Sequence, residues 1–100
     1  MAASIRLSNR YVVAETDSFR KSLSKNQALA ALYPRLRDVV YPLLRREPHF
    51  GPNIKRLKGD LSDFYRYRLG WYLLFYTIDE RKAVVIVVDL RSRQASYRDR

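Results

Sequence analysis

Lys55, Arg56, Lys58, Arg66, Arg68, Arg91, Arg93 and Tyr97 are the side chains whose types and spacing point to chemistry. Arg66 and Arg68 lie two positions apart in YRYRLGWYLLFY (65–76). Side chains of a strand repeat every two residues, so both guanidiniums leave one face about 7 Å apart, the spacing of neighbouring backbone phosphates. A set of cations and a phenol suits one reaction, cleavage of RNA by its own 2′-hydroxyl without a metal. That reaction needs the phosphate held in line and its growing charge stabilised, which guanidiniums do well. It also needs a proton carrier. Arginine serves poorly, because its pKa lies above about 12. Lysine or tyrosine, near 10, serves once neighbouring cations lower that value. An amphipathic hairpin with a solvated basic face would show the same pattern.

Other chemistries find no residues. There is no cysteine and His49 is the only histidine, so thiol catalysis and the usual zinc sites are excluded. A Ser-His-Asp triad would need His49, which no motif surrounds. Three glycines leave no phosphate-binding loop. Asp60 and Asp63 fall in a basic stretch, where they shape a turn. No cofactor is expected.

The charge supports a polyanion partner. Twenty Lys plus Arg face ten Asp plus Glu, a net +10, and both halves of the chain share the excess. Nucleic acid is the default partner of such a domain; an acidic protein or an anionic membrane surface would also answer the charge. The apolar runs are too short to span a membrane, and MAASIRLSNRY lacks the apolar core of a signal peptide. We therefore expect one cytoplasmic domain over residues 1–100, large enough for a single modest core.

The elements that must position the cations follow from patterning. Residues 1–9 read as a frayed end. RYVVAE (10–15) predicts a short strand. Asp17 and Ser18 offer N-cap oxygens to a helix running to about Leu32. Pro34 opens a second helix to Arg46, whose Leu36, Val39, Val40, Leu43 and Leu44 form one apolar stripe. Pro42 within it predicts a kink or a broken ladder. EPHFGP (47–52) is a loop, and 53–59 continues it as a basic loop. Strands follow at about 63–69 and 71–79, meeting at a Leu69-Gly70 turn, and at 83–90. AVVIVVDL (83–90) is apolar on both faces, as in a strand covered on both sides, so with helices on one face a partner is expected on the other. Trp71 reads as a packing residue, an anchor for the antitoxin or a base-stacking ring, and Leu73 and Phe75 as a dry patch for a partner helix or strand.

KRLKG (55–59), YRYRLGWYLLFY, the apolar strand and LRSRQASY (90–97) together resemble the RelE/ParE superfamily of toxins from type II toxin–antitoxin modules. The likeness covers about 10–98 and is most specific over 55–76. It implies a small α+β RelE-like fold: an N-terminal strand and two helices packed on one face of a mainly antiparallel, twisted four-stranded sheet. For the RelE branch it implies a metal-independent, ribosome-dependent endoribonuclease that cuts mRNA and is silenced by a cognate antitoxin; we expect the free toxin to be a monomer and the antitoxin complex a hetero-oligomer.

Carried over by residue, Arg66, Arg68, Arg91 and Tyr97 would be catalytic. Arg91 would hold the scissile phosphate just after the last strand, and Tyr97 would stack on a base and help move protons. Lys55, Arg56, Lys58 and Arg93 would bind RNA, the first three facing ribosomal RNA. One departure stands out. Family members commonly read GDYRIIY or GYRLVY where this chain has GWYLLFY, so Leu73 replaces an arginine. The alternative implied is the ParE branch, which inhibits DNA gyrase and lacks the nuclease residues.

Overall fold

A computed structural model describes residues 10–94. Five strands form one sheet: β1 (Val12–Glu15), β2 (Ile54–Arg56), β3 (Phe64–Leu69), β4 (Tyr72–Asp79) and β5 (Val84–Ser92). Their order is β1-β5-β4-β3-β2. β1 runs parallel to β5, and every other pairing is antiparallel. The α+β class expected from the sequence is the one observed, with one strand more than the expected four. The extra strand is β2, inside the segment read as a basic loop. It is three residues long and pairs on one side only, so it offers no alternation long enough to read.

Both helices pack on one face, and both are interrupted. The first begins at N-cap Thr16, whose hydroxyl accepts from the Phe19 N–H at 3.1 Å, one residue before the expected caps. It spans α1 (Asp17–Lys25) and stops at Asn26, which takes an extended backbone and caps the short α2 (Gln27–Ala30) with its own side chain. Asn competes with helical hydrogen bonds in this way, and here the local bond wins.

The second helix, α3, starts with a turn at Tyr33–Arg35, widens to a π segment at Leu36–Val40 and ends as α-helix at Tyr41–Arg46. The Tyr41 N–H donates to the Leu36 carbonyl, five residues back. Pro42 explains the widening. It has no N–H to give, and in a regular helix its ring would strike the carbonyl four residues earlier, at Asp38.

The core lies between these helices and the sheet. Phe19, Leu29, Leu36, Val40, Tyr41 and Leu44 meet Tyr65, Tyr67, Leu69, Leu74, Tyr76, Val85, Val87 and Leu90. Each strand gives alternate residues to it, which sends the intervening ones to the open face. β5 keeps this alternation only by a bulge. Val87 pairs with Tyr76 and Asp89 with Phe75, so Val88 is an extra residue opposite no partner of its own.

Buried polar atoms are matched. Glu15 Oε2 accepts from the Tyr33 hydroxyl at 2.6 Å and the Tyr41 hydroxyl at 2.8 Å, and Tyr76 donates to the Pro48 carbonyl at 2.7 Å. Burial pushes the Tyr41 and Tyr76 phenols well above their usual range. Among the described residues no helix is long and apolar enough to cross a membrane.

Candidate functional site

The open face of the sheet is built from two cross-strand rows. Lys55, Arg66, Phe75 and Asp89 lie in register across β2, β3, β4 and β5; Arg68, Leu73 and Arg91 lie in register across the three longer strands. Strands stand about 4.8 Å apart, so the Cα atoms of Arg68 and Arg91 flank Leu73 across about 10 Å. Arg66, Arg68 and Arg91 thus leave the same face.

Arg91 reaches that face because of the bulge. Val85 and Val87 point inward, and strict alternation would send Asp89 and Arg91 inward too. The extra Val88 reverses the phase, so Leu90 enters the core and Asp89 and Arg91 turn outward. Arg91 therefore sits within β5, not after it. The strand continues to Ser92, since the ladder with β4 holds through Leu73–Arg91 and Tyr72–Ser92.

The electrostatics of the face are strongly positive. Asp89 is the carboxylate of the two rows, and its Oδ2 holds Arg91 Nε at 3.0 Å with both side chains 41% exposed. Leu73 is only 5% exposed although it lies outside the inner core cluster, so the Arg68–Leu73–Arg91 row has a dry floor between charged flanks. Among the described residues no group of three or more His, Cys, Asp or Glu could hold a metal ion.

Arg93 follows the last pair of the ladder, Tyr72–Ser92. Its backbone N–H donates to the Trp71 carbonyl at 2.7 Å, and its guanidinium lies 5.8 Å from the Trp71 ring centre. The tight turn Gly70-Trp71 carries this pair, with Gly70 at φ 60° in the first loop position, where a primed hairpin turn needs positive φ. Trp71 is 75% exposed, so the packing role expected for it does not hold. A turn tip has no second layer to bury it.

Not every predicted residue joins this face. Arg56 pairs with Tyr65, an inward position; its guanidinium lies 5.6 Å from the Tyr65 ring centre and its Nε donates to the Ser62 carbonyl at 2.6 Å. It is thereby held apart from Arg66, Arg68 and Arg91, because neighbours on a strand alternate faces and Lys55 takes the outward place. Lys58 is exposed at the start of the 3₁₀ turn Gly59–Leu61. Tyr97 lies outside the described residues, as do residues 1–9.

Sequence reasoning missed one constellation. His49 Nδ1 lies 2.9 Å from Glu47 Oε2 and its Nε2 lies 2.6 Å from Glu80 Oε2, while Glu80 Oε1 accepts from the Tyr11 hydroxyl at 3.1 Å. Burial alone would lower the His49 pKa, but the bonds to Glu80 and Glu47 outweigh it and raise the value above 6.5. The cluster ties loop 47–52 to the β4–β5 turn and to the residue before β1. Glu47 was a visible neighbour; Glu80, distant in sequence, gave no signal. Beside it, Leu43, Phe50, Pro52, Ile54 and Tyr67 line an apolar hollow of about 350 Å³ on the helix side.

Comparison with known proteins fits this geometry. Solved structures of similar fold include the RelBE2 toxin–antitoxin complex of Mycobacterium tuberculosis, with 29% identity and a TM-score of 0.64 over 84% of this chain and 99% of that one. The RelE–RelB complex of Pyrococcus horikoshii matches at 26% identity and TM-score 0.58, over 84% of this chain and 96% of that one. The YoeB/ParE toxin of Agrobacterium tumefaciens shares the fold at 18% identity and TM-score 0.65, over 81% and 96%. No curated protein matches the chain. The family model of the ParE toxin of the type II toxin–antitoxin system parDE matches residues 9–97. With the model spanning nearly the whole chain and the fold shared with RelE, YoeB and ParE toxins, the chain belongs to the ParE toxin family of type II toxin–antitoxin systems.

Proposed function

We propose that this toxin is a cytoplasmic endoribonuclease that cuts messenger RNA on the ribosome, inhibits translation and is silenced by a cognate antitoxin. The observation that carries the reading is the placing of Lys55 directly opposite Arg66, with Arg68 and Arg91 on the next row of the same face. Like charges directly opposite on a sheet cost stability. A face that keeps them is arranged for an anion, and a strand of phosphates fits its spacing. The antitoxin partner is supported by the RelBE2 and RelE–RelB complexes among the similar structures.

In the proposed reaction the scissile phosphate lies over Leu73, gripped from both sides by Arg68 and Arg91. The 2′-oxygen attacks the adjacent phosphorus, the bond to the 5′-oxygen breaks, and a 2′,3′-cyclic phosphate and a 5′-hydroxyl result. One proton leaves the 2′-hydroxyl and one is delivered to the 5′-oxygen. Tyr97 is assigned a share of this transfer, as the family resemblance implies. The arginines stabilise the charge that grows on the non-bridging oxygens. Leu73 removes a third guanidinium that family members place in the row, and the flanking pair takes over its task.

Primer extension on mRNA from cells expressing the toxin tests the reading. Discrete cuts within codons that disappear with Arg91→Ala support it. A supercoiling defect with intact mRNA would replace it by gyrase inhibition, a second reading favoured by the match to the ParE model and by the loss of arginine at Leu73.

A further inference from the structure

Trp71 and Phe50 are the two most exposed large apolar side chains among the described residues, at 75% and 77%, and their surroundings differ. Phe50 borders the apolar hollow with Leu43, Pro52 and Ile54. Trp71 stands at the turn between β3 and β4, with the Arg93 guanidinium 5.8 Å from its ring centre. The bond from the Arg93 N–H to its carbonyl lies one residue beyond the Tyr72–Ser92 pair that ends the β4–β5 ladder, so Trp71 and Arg93 adjoin the row of Leu73 and Arg91. Trp71 is two residues from Leu73 along the chain, a reach of at most about 7 Å, close to one nucleotide step along a single strand.

Resting on the ribonuclease reading, we infer that Trp71 is a stacking platform for one nucleobase of single-stranded RNA, next to the phosphate held by Arg68 and Arg91. The indole has the shape for the task. Arg93 covers at most one of its faces, since three-quarters of the side chain remains exposed. The other face is open to a flat ring, and a guanidinium against an indole both orients it and adds positive charge beside the base's own phosphate. The Gly70 turn and the bond from the Arg93 N–H fix the Trp71 backbone, so less freedom remains to be lost on binding. An anchor for an apolar peptide would want the dry lining that Phe50 borders; Trp71 has Arg93 against it instead. Stacking accepts any base, so this platform sets position on the strand and not sequence.

Trp71 is the only tryptophan of the chain, so its emission reports directly on the ring. The full-length toxin is titrated at low salt with a labelled, uncleavable 2′-O-methyl RNA decamer, following oligonucleotide anisotropy for binding and protein emission for stacking. Heparin, which carries charge without bases, is the control. The expected result is quenching by the decamer and none by heparin. Affinity falls about tenfold in Trp71→Ala and is largely restored in Trp71→Phe, while the salt dependence stays that of the wild type. Binding by anisotropy without quenching, quenching by heparin, or unchanged affinity in Trp71→Ala overturns the inference and leaves the ribonuclease reading standing. If Trp71→Ala weakens antitoxin binding alone, the ring is a protein anchor and the inference falls. If the wild type shows no anisotropy change, the RNA reading fails and takes this one with it.

Discussion

The two faces of β3 use the same backbone for opposite ends. Inward, Tyr65, Tyr67 and Leu69 are buried, and Tyr65 stacks on Tyr76 with ring centres 5.6 Å apart. Outward, Arg66 and Arg68 stand in rows with Lys55 and Arg91. The carboxylates are divided as unevenly. On the helix side Glu15 joins two tyrosine hydroxyls, while Glu47 and Glu80 bracket His49. Among the described residues no buried side-chain nitrogen or oxygen lacks a hydrogen-bond partner. Among the described residues the outward rows have Asp89 against four cations. One face is finished by the fold, and the other gathers cations in rows suited to an anion. The lesson is that stability and function are assigned to opposite sides of the same strands, so they can be broken separately.

The largest expected effect falls on the inner face. Phe19→Ala, at a fully buried position, lowers unfolding free energy by about 4 kcal/mol in urea denaturation. Arg91→Ala should do the reverse: cleavage drops about 100-fold in a single-turnover assay, with stability changed by less than about 0.5 kcal/mol. Equal losses in both measurements for either variant would break the division between faces. Glu15→Ala leaves two phenol donors without their acceptor and costs about 2 kcal/mol of stability. Leu73→Arg sharpens the comparison, because it restores the family's cation on the functional face. Cleavage should rise by less than about tenfold if Arg68 and Arg91 already do its work; a larger gain would mean they do not.

The smallest effect concerns pH. His49 has a raised pKa, so its contribution is complete below 6.5 and fades as pH rises through the folded value. The bond to His49 depresses Glu80. For Glu47, burial acts upward but is outweighed by bonds from the His49 N–H and ring, so it too is depressed. Their contributions are complete above 4.5 and fade as pH falls through the folded values. The cluster is therefore strongest between those limits. His49→Gln should flatten the thermal-stability profile on both sides of that window; an unchanged profile would remove the cluster from the account. Tyr11 and Tyr65 face the same imidazole edge-on.

Much of the fold was legible because its signals are local. The apolar stripe of α3, the alternation of β3 and the glycine turn each lie within one element. Misreadings came where a neighbour overruled propensity. Asn26 capped a new helix instead of continuing the old one, and Ile54–Arg56 became a strand because β3 offered it an edge. Of the candidate site, the pairing of Arg66 with Arg68 was plain, while Arg56 was grouped with residues from which the pleat separates it.

What the sequence determined by itself was the face shared by Arg66 and Arg68, because a period of two is a property of the extended chain. It also determined the charge excess and the turn at Gly70. Whether Arg91 joins that face was decided by tertiary structure alone. AVVIVVDL is apolar on both sides, so nothing in it marks which valines point inward. The bulge at Val88, imposed by pairing with β4, reverses the phase of the strand and brings Arg91 out beside Leu73, across from Arg68.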